Sequence, residues 1–213
     1  AAQALGSRFD GQMAGTFGFA GSYSFYPAKV LGSLGDGGAL ITNDELIYDR
    51  VYQLHDHGRD QNGEVQCWGR NSRLDNVQAA LLDKRLADYE AVIERRRHLA
   101  GIYQDRLCNL DMIKLPPGPS NAGPHFDVYQ NYEICAARRD ELRRFLSKNG
   151  VGTIIQWGGQ AIHQFPKLGV DANLPKVEEF FEKCLLLPMN TFLTDDDVHY
   201  VCDCIGRFYG ISE

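Results

Sequence analysis

Several signals that mark common protein classes are missing from this sequence. Its six cysteines, Cys67, Cys108, Cys135, Cys184, Cys202 and Cys204, form no Cys-x-x-Cys pair and no zinc spacing. Reduced thiols and no bound metal are therefore expected. No apolar run is long enough to span a membrane, and no signal peptide is visible. A cytoplasmic protein with no membrane partner is expected. Positive charge is in deficit: the net charge is −6. That argues against a general nucleic-acid surface, though not against a nucleotide ligand. The longest basic cluster, Arg95-Arg96-Arg97-His98, is short and lies in a helical pattern. There is no internal repeat and no low-complexity tract. An initiator methionine is absent too, and Ala1-Ala2-Gln3-Ala4-Leu5 reads like the middle of a longer chain.

What is present fits a soluble globular protein. The 213 residues are 44% hydrophobic and 23% charged, enough for one large or two small domains. One stretch organises the rest. Ser22-Tyr23-Ser24-Phe25 alternates like a strand, and Pro27 ends it before Lys29. Gly32, Gly35, Gly37 and Gly38 then punctuate the chain before a second short strand, Ala39 to Thr42. Apolar surroundings favour a neutral amine, and a neutral lysine amine is a nucleophile able to form a Schiff base. The glycines allow tight turns and close backbone approach to a ligand. From this stretch alone, a turn-rich surface loop with a solvated lysine stays open.

Downstream, a helix capped by Asn43 or Asp44 is expected to run to about Gln53. His55-Asp56-His57 before Gly58 suggests either a metal site or, more simply, a solvated helix end. Asn71 and Arg73 precede a long helical run, with possible interruptions, from Leu74 to Leu107. The two polar residues could reach an anion or a partner subunit, or simply cap the helix. Leu115-Pro116-Pro117-Gly118-Pro119 breaks the pattern. A smaller α/β domain follows. Its expected strands are Phe126 to Cys135 and Val151 to Trp157, with a helix from Arg138 to Lys148 between them. A helix from Val177 to Cys184, a buried Leu185–Met189 segment and a final helix opened by Thr194-x-x-Asp197 complete it.

In order along the chain, these features form one pattern. Gln3-Ala4-Leu5-Gly6, Ser24-Phe25-x-x-x-Lys29, Gly35 to Asp44, and Asn71-x-Arg73-x-x-x-x-Gln78-Ala79-Ala80 closely resemble the DegT/DnrJ/StrS group of pyridoxal-phosphate-dependent sugar aminotransferases. Arg138 to Leu142, Gly150 to Thr153 and Leu185 to Met189 resemble that group's C-terminal domain. The resemblance implies an α/β protein: part of a pyridoxal-phosphate-dependent transferase fold of the aspartate-aminotransferase type (fold type I). Residues 1–87 would be the end of the cofactor-binding large domain, 88–111 a connecting long helix, and 112–213 the small C-terminal domain. The aspartate that pairs with the cofactor's pyridine nitrogen in this family would lie one place before Ala1.

By the same resemblance, Lys29 is the Schiff-base lysine and the carrier of a proton between the substrate carbon and the cofactor. Ser24 would bind the phosphate of pyridoxal 5'-phosphate, and Gln3 would contact its ring on the phenolic-oxygen side. Asn71 would reach a phosphate in the neighbouring subunit, so that a homodimer shares its active sites. Arg73 would support that loop or the donor carboxylate. His163 would face the substrate, although a core or surface histidine stays open. The implied reaction moves an amino group from glutamate or glutamine to a keto sugar, normally one linked to a nucleoside diphosphate. A sugar dehydratase is disfavoured because those relatives replace the lysine with histidine. A keto-cyclitol acceptor, or a non-catalytic or regulatory paralogue, stays open.

Overall fold

The computed structural model describes residues 1–120 and 122–210. They divide into two compact units, Ala1–Glu94 with Ser120–Gln130, and Arg95–Pro119 with Asn131–Glu213.

In the first unit, β1 (Arg8–Phe9) and β2 (Gln12–Met13) form a hairpin. Its two-residue turn, Asp10-Gly11, has positive φ at both positions, 48° and 77°. That is the turn whose twist suits antiparallel strands. β3 (Ala20–Ser24) pairs antiparallel with β4 (Gly38–Thr42), with Ser24 opposite Gly38. α1 (Glu45–His55) starts where Asp44 accepts the Leu46 and Ile47 amides. The expected long helical run breaks at Ala87-Asp88 into α2 (Asn76–Leu86) and α3 (Tyr89–Leu107), of which residues 89–94 belong to this unit. The core joins Leu31, Leu82, Tyr89, Ile93 and Val128.

In the second unit, β5 (Ile113–Lys114), β7 (Tyr132–Ala136) and β8 (Cys184–Leu187) form an antiparallel sheet in the order β5-β7-β8. Tyr132, Ile134 and Ala136 face inward, as two-residue alternation requires. The expected continuous strand from Phe126 to Cys135 is in fact two strands. β6 (His125–Phe126) pairs with β1 in the first unit's sheet. Between β6 and β7, Tyr129 adopts a left-handed φ of 50° that no strand can contain.

The expected strand from Val151 to Trp157 does not form either. Ile154 alone makes a bridge, to Leu186, and the chain then turns through positive φ at Trp157, Gly158 and Gly159. α4 (Arg139–Lys148) buries Leu142 and Leu146. α5 (Pro175–Lys183) precedes β8, where the buried Leu185, Leu186 and Leu187 pair as a strand and Cys184 leaves the helix to join it. α6 (Asp195–Tyr209) opens on the anticipated cap, with Thr194 Oγ accepting from the Asp197 amide at 3.1 Å. The thiols of Cys184, Cys202 and Cys204 are free and buried. Among the described residues no helix is long and apolar enough to cross a membrane.

Candidate active site

Lys29 lies in the connection between β3 and β4. Ser24 ends β3, and Tyr26-Pro27-Ala28-Lys29 forms a turn closed by the Lys29 amide on Tyr26 O at 2.8 Å. Proline suits the second position of such a turn because its φ is already set.

The loop after Lys29 is pinned at each step. Leu31, 6% exposed, inserts into the core. Gly32 runs so close to the turn that a Cβ would lie 2.6 Å from Pro27 O, which explains the glycine. Ser33, 1% exposed, donates its amide to Phe25 O at 2.8 Å. Its hydroxyl lies 2.7 Å from the same oxygen and also touches Gly35 O, so one proton serves either acceptor. α2 supplies two further ties. Gln78 Oε1 accepts from the Leu34 amide at 2.8 Å, and Arg85 donates to Gly32 O. Lys29 is therefore presented by a fixed loop, although loops are ordinarily the mobile parts of a fold.

Three of the expected site residues come together. Gln3, Ser24 and Lys29 line one small cleft, with Tyr89 and Gln130. Gln3 rides on an N-terminal turn held by Tyr89, whose hydroxyl donates to Leu5 O at 2.9 Å. Ser24 Oγ accepts from the Tyr26 amide at 3.3 Å, which leaves its own proton for another acceptor. Among the described residues Lys29 forms no ion pair.

Asn71 and Arg73 do not line that cleft. Asn71 belongs to a strap, residues 70–72, paired with the end of α1, and Arg73 follows it directly. Arg70 donates to Leu54 O at 2.8 Å, Ser72 to His55 O at 2.9 Å, and Asn71 bridges Asp56. Arg73 Nε donates to Asn71 Oδ1 at 3.1 Å while its Nη1 lies 3.3 Å from Asp56 Oδ1. Arg73 thus orients the Asn71 carboxamide, and both side chains are exposed. His55 turns its Nδ1 onto Tyr52 O of its own helix at 2.6 Å. No group of three or more metal-ligating side chains occurs among the described residues.

His163 belongs to the second unit, in the single helical turn Ile162–Gln164. Its side chain is only 5% exposed, and Nε2 lies 2.8 Å from Glu178 Oε1. Its buried Nδ1 has no partner among the described residues.

Tyr89 and Gln130 are the site residues that sequence reasoning missed. The only signal for Gln130 is a polar residue inside Val128-Tyr129-Gln130-Asn131-Tyr132. Tyr89 reads simply as one more position of a helical stripe.

A profile of the DegT/DnrJ/EryC1/StrS aminotransferase family matches residues 1–206. A "Pleiotropic regulatory protein" of Geobacillus stearothermophilus is 35% identical over 98% of this chain and 57% of its own length. The dTDP-3-amino-3,4,6-trideoxy-alpha-D-glucose transaminase of Streptomyces venezuelae is 35% identical over 98% of this chain and 55% of its own. The crystal structure of S. venezuelae DesV in complex with a ketimine intermediate superposes with a TM-score of 0.91 at 33% identity, covering 100% of this chain and 57% of that one. The chain thus spans little more than half the length of these relatives. Its architecture is part of the fold type I pyridoxal-phosphate-dependent transferase fold. On the profile match and the shared fold together, the chain belongs to the DegT/DnrJ/EryC1/StrS aminotransferase family.

Proposed function

We propose that the chain carries the lysine-bearing part of a pyridoxal-5'-phosphate-dependent aminotransferase. It would move an amino group from glutamate or glutamine to a nucleoside-diphosphate-linked 3-keto or 4-keto deoxysugar. The observation that carries this reading is that Lys29, Ser24 and Gln3 line one small cleft, with Lys29 on a pinned loop. The donor set suits the cofactor: an amine with no carboxylate partner among the described residues, a hydroxyl with a proton to give, and a carboxamide. When bound, pyridoxal phosphate supplies an electron sink for the electrons left at the substrate carbon.

The chain's own residues do the rest. Lys29 would hold the cofactor and, as a free amine, would carry a proton between the substrate carbon and the cofactor. The Ser24 hydroxyl donates to the phosphate, and a charge-assisted bond of this kind is stronger than a neutral one. Gln3, which lines the same cleft, would contact the ring on its phenolic-oxygen side. Asn71, whose carboxamide Arg73 orients, would reach the cofactor phosphate of a second subunit in a cytoplasmic homodimer. A substrate role for His163 rests on the family resemblance; its ring is nearly buried against Glu178 within the second unit.

The test is a screen of the full protein against keto-sugar nucleotides and keto-cyclitols, with glutamate or glutamine as donor. Product mass should show a carbonyl oxygen replaced by an amine. A product from keto-cyclitols alone would move the acceptor to that class. No product from any acceptor, in protein supplied with cofactor, would favour the regulatory reading that the name of the Geobacillus relative suggests.

A further inference from the structure

We propose that Gln130 is a positioning residue for Lys29: its one carboxamide bridges the peptide units on both sides of the lysine. Gln130 Oε1 accepts from the Val30 amide at 2.9 Å. Its Nε2 donates to Ala28 O at 2.8 Å. A carboxamide offers an acceptor and a donor side by side in one plane, which Glu, Met and Lys do not. The pairing also fixes which way the amide lies, because the flipped group would set N–H against N–H and oxygen against oxygen.

The residues around Gln130 make it a firm mount. Val128 is fully buried in the core, and Tyr129 is nearly so. Tyr129 holds a left-handed φ of 50°, with its amide donated to Asp127 Oδ1 at 3.0 Å. A non-glycine residue in that region costs about 1–3 kcal/mol and persists only where its surroundings hold it. The kink lets Val128 stay in the core while Gln130 reaches the lysine loop a hundred residues away in sequence. Gln130 and Lys29 line the same cleft. The other ties on this loop, from Ser33, Gln78 and Arg85, all act from Gly32 onward. The Lys29 amide closes its own turn on Tyr26 O, and Gln130 adds a grip from across the chain on the peptides flanking Lys29.

The inference rests on the reading of Lys29 as the cofactor lysine, and the test separates the two. Gln130→Met removes both arms at similar size. Gln130→Glu keeps the acceptor for Val30 and sets a carboxylate oxygen against Ala28 O, and it guards against a Met variant that fails to fold. In the full protein without cofactor, amide exchange at Val30 should quicken about tenfold in the Met variant, the worth of an ordinary hydrogen bond. Exchange at Ser33 and Leu34 should stay as in wild type. With cofactor, kcat should fall roughly tenfold to a hundredfold, as displacement of a reacting group does, while the donor KM holds. Unchanged Val30 exchange in the Met variant overturns the proposal, as does unchanged kcat in either variant that folds. A wild-type protein that binds no cofactor would instead overturn the functional reading and, with it, the positioning role. The exchange data would still report on the bridge.

Discussion

Leu31→Ala tests whether the lysine loop is held by the core. Leu31 lies two residues past Lys29, is 6% exposed, and packs with Leu82, Tyr89, Ile93 and Val128. At that burial nearly the whole side chain is lost from the core, and a cavity remains. The expected cost is about 3 kcal/mol, within the roughly 2–5 kcal/mol seen for such truncations. With a urea slope of about 2 kcal/mol per molar, the unfolding midpoint should fall by about 1.5 M. Leu142→Ala is the control. It is fully buried in the second unit, and the same truncation should cost a similar amount. The two variants should differ in hydrogen exchange across residues 26–34. Leu31→Ala should release that loop, and Leu142→Ala should leave it protected up to its own unfolding limit. A midpoint shift below about 0.5 M for Leu31→Ala, or equal loop exchange in the two variants, would refute the reasoning.

Two further predictions concern the second unit. Burial raises the thiols of Cys184 and Cys202, to about 11 and about 12, while Cys108 is exposed. In folded protein near pH 8 a thiol reagent should label Cys108 first and these two last, since the thiolate is the reactive form. Labelling of Cys202 as fast as Cys108, read by peptide mass, would contradict the buried assignment. Asp195 accepts from His98 Nε2 at 2.8 Å and pairs with Arg95 at 2.6 Å, and both hold its pKa below the ordinary 3.8. A depressed pKa means that the folded state binds the proton less tightly than the unfolded chain does. The stabilisation is therefore present above the unfolded value and lost as pH falls through the folded one. The Tm gap between wild type and Asp195→Asn should close as the pH is lowered from about 6 towards about 2.5. A gap that widens in acid would contradict the assignment.

Local chemistry made much of this structure legible. The Thr194–Asp197 cap, the alternation of Ser22 to Ser24 and the α4 stripe of Leu142 and Leu146 each depend on neighbours within one turn or strand. What stayed hidden depends on distant partners. Asp10-Gly11 is a hairpin signal, but its strands are only two residues long and their sheet is completed by His125–Phe126. The stretch from Val151 to Trp157 reads as a strand, yet positive φ from Trp157 onward leaves a single bridge at Ile154. Lys29, Ser24 and Gln3 came from the family pattern rather than from physics alone. Gln130 carries a local signal too weak to notice, because its meaning lies in the two peptides it bridges across the chain.

The central claim is that Lys29 tethers pyridoxal phosphate. The direct measurement is the visible absorption of the lysine-bound cofactor in the full protein supplied with pyridoxal phosphate, compared with Lys29→Ala. The account predicts a band in the wild type, absent from the variant, whose cofactor is then removed by dialysis. A wild-type protein without the band, or a variant that keeps it, would contradict the account.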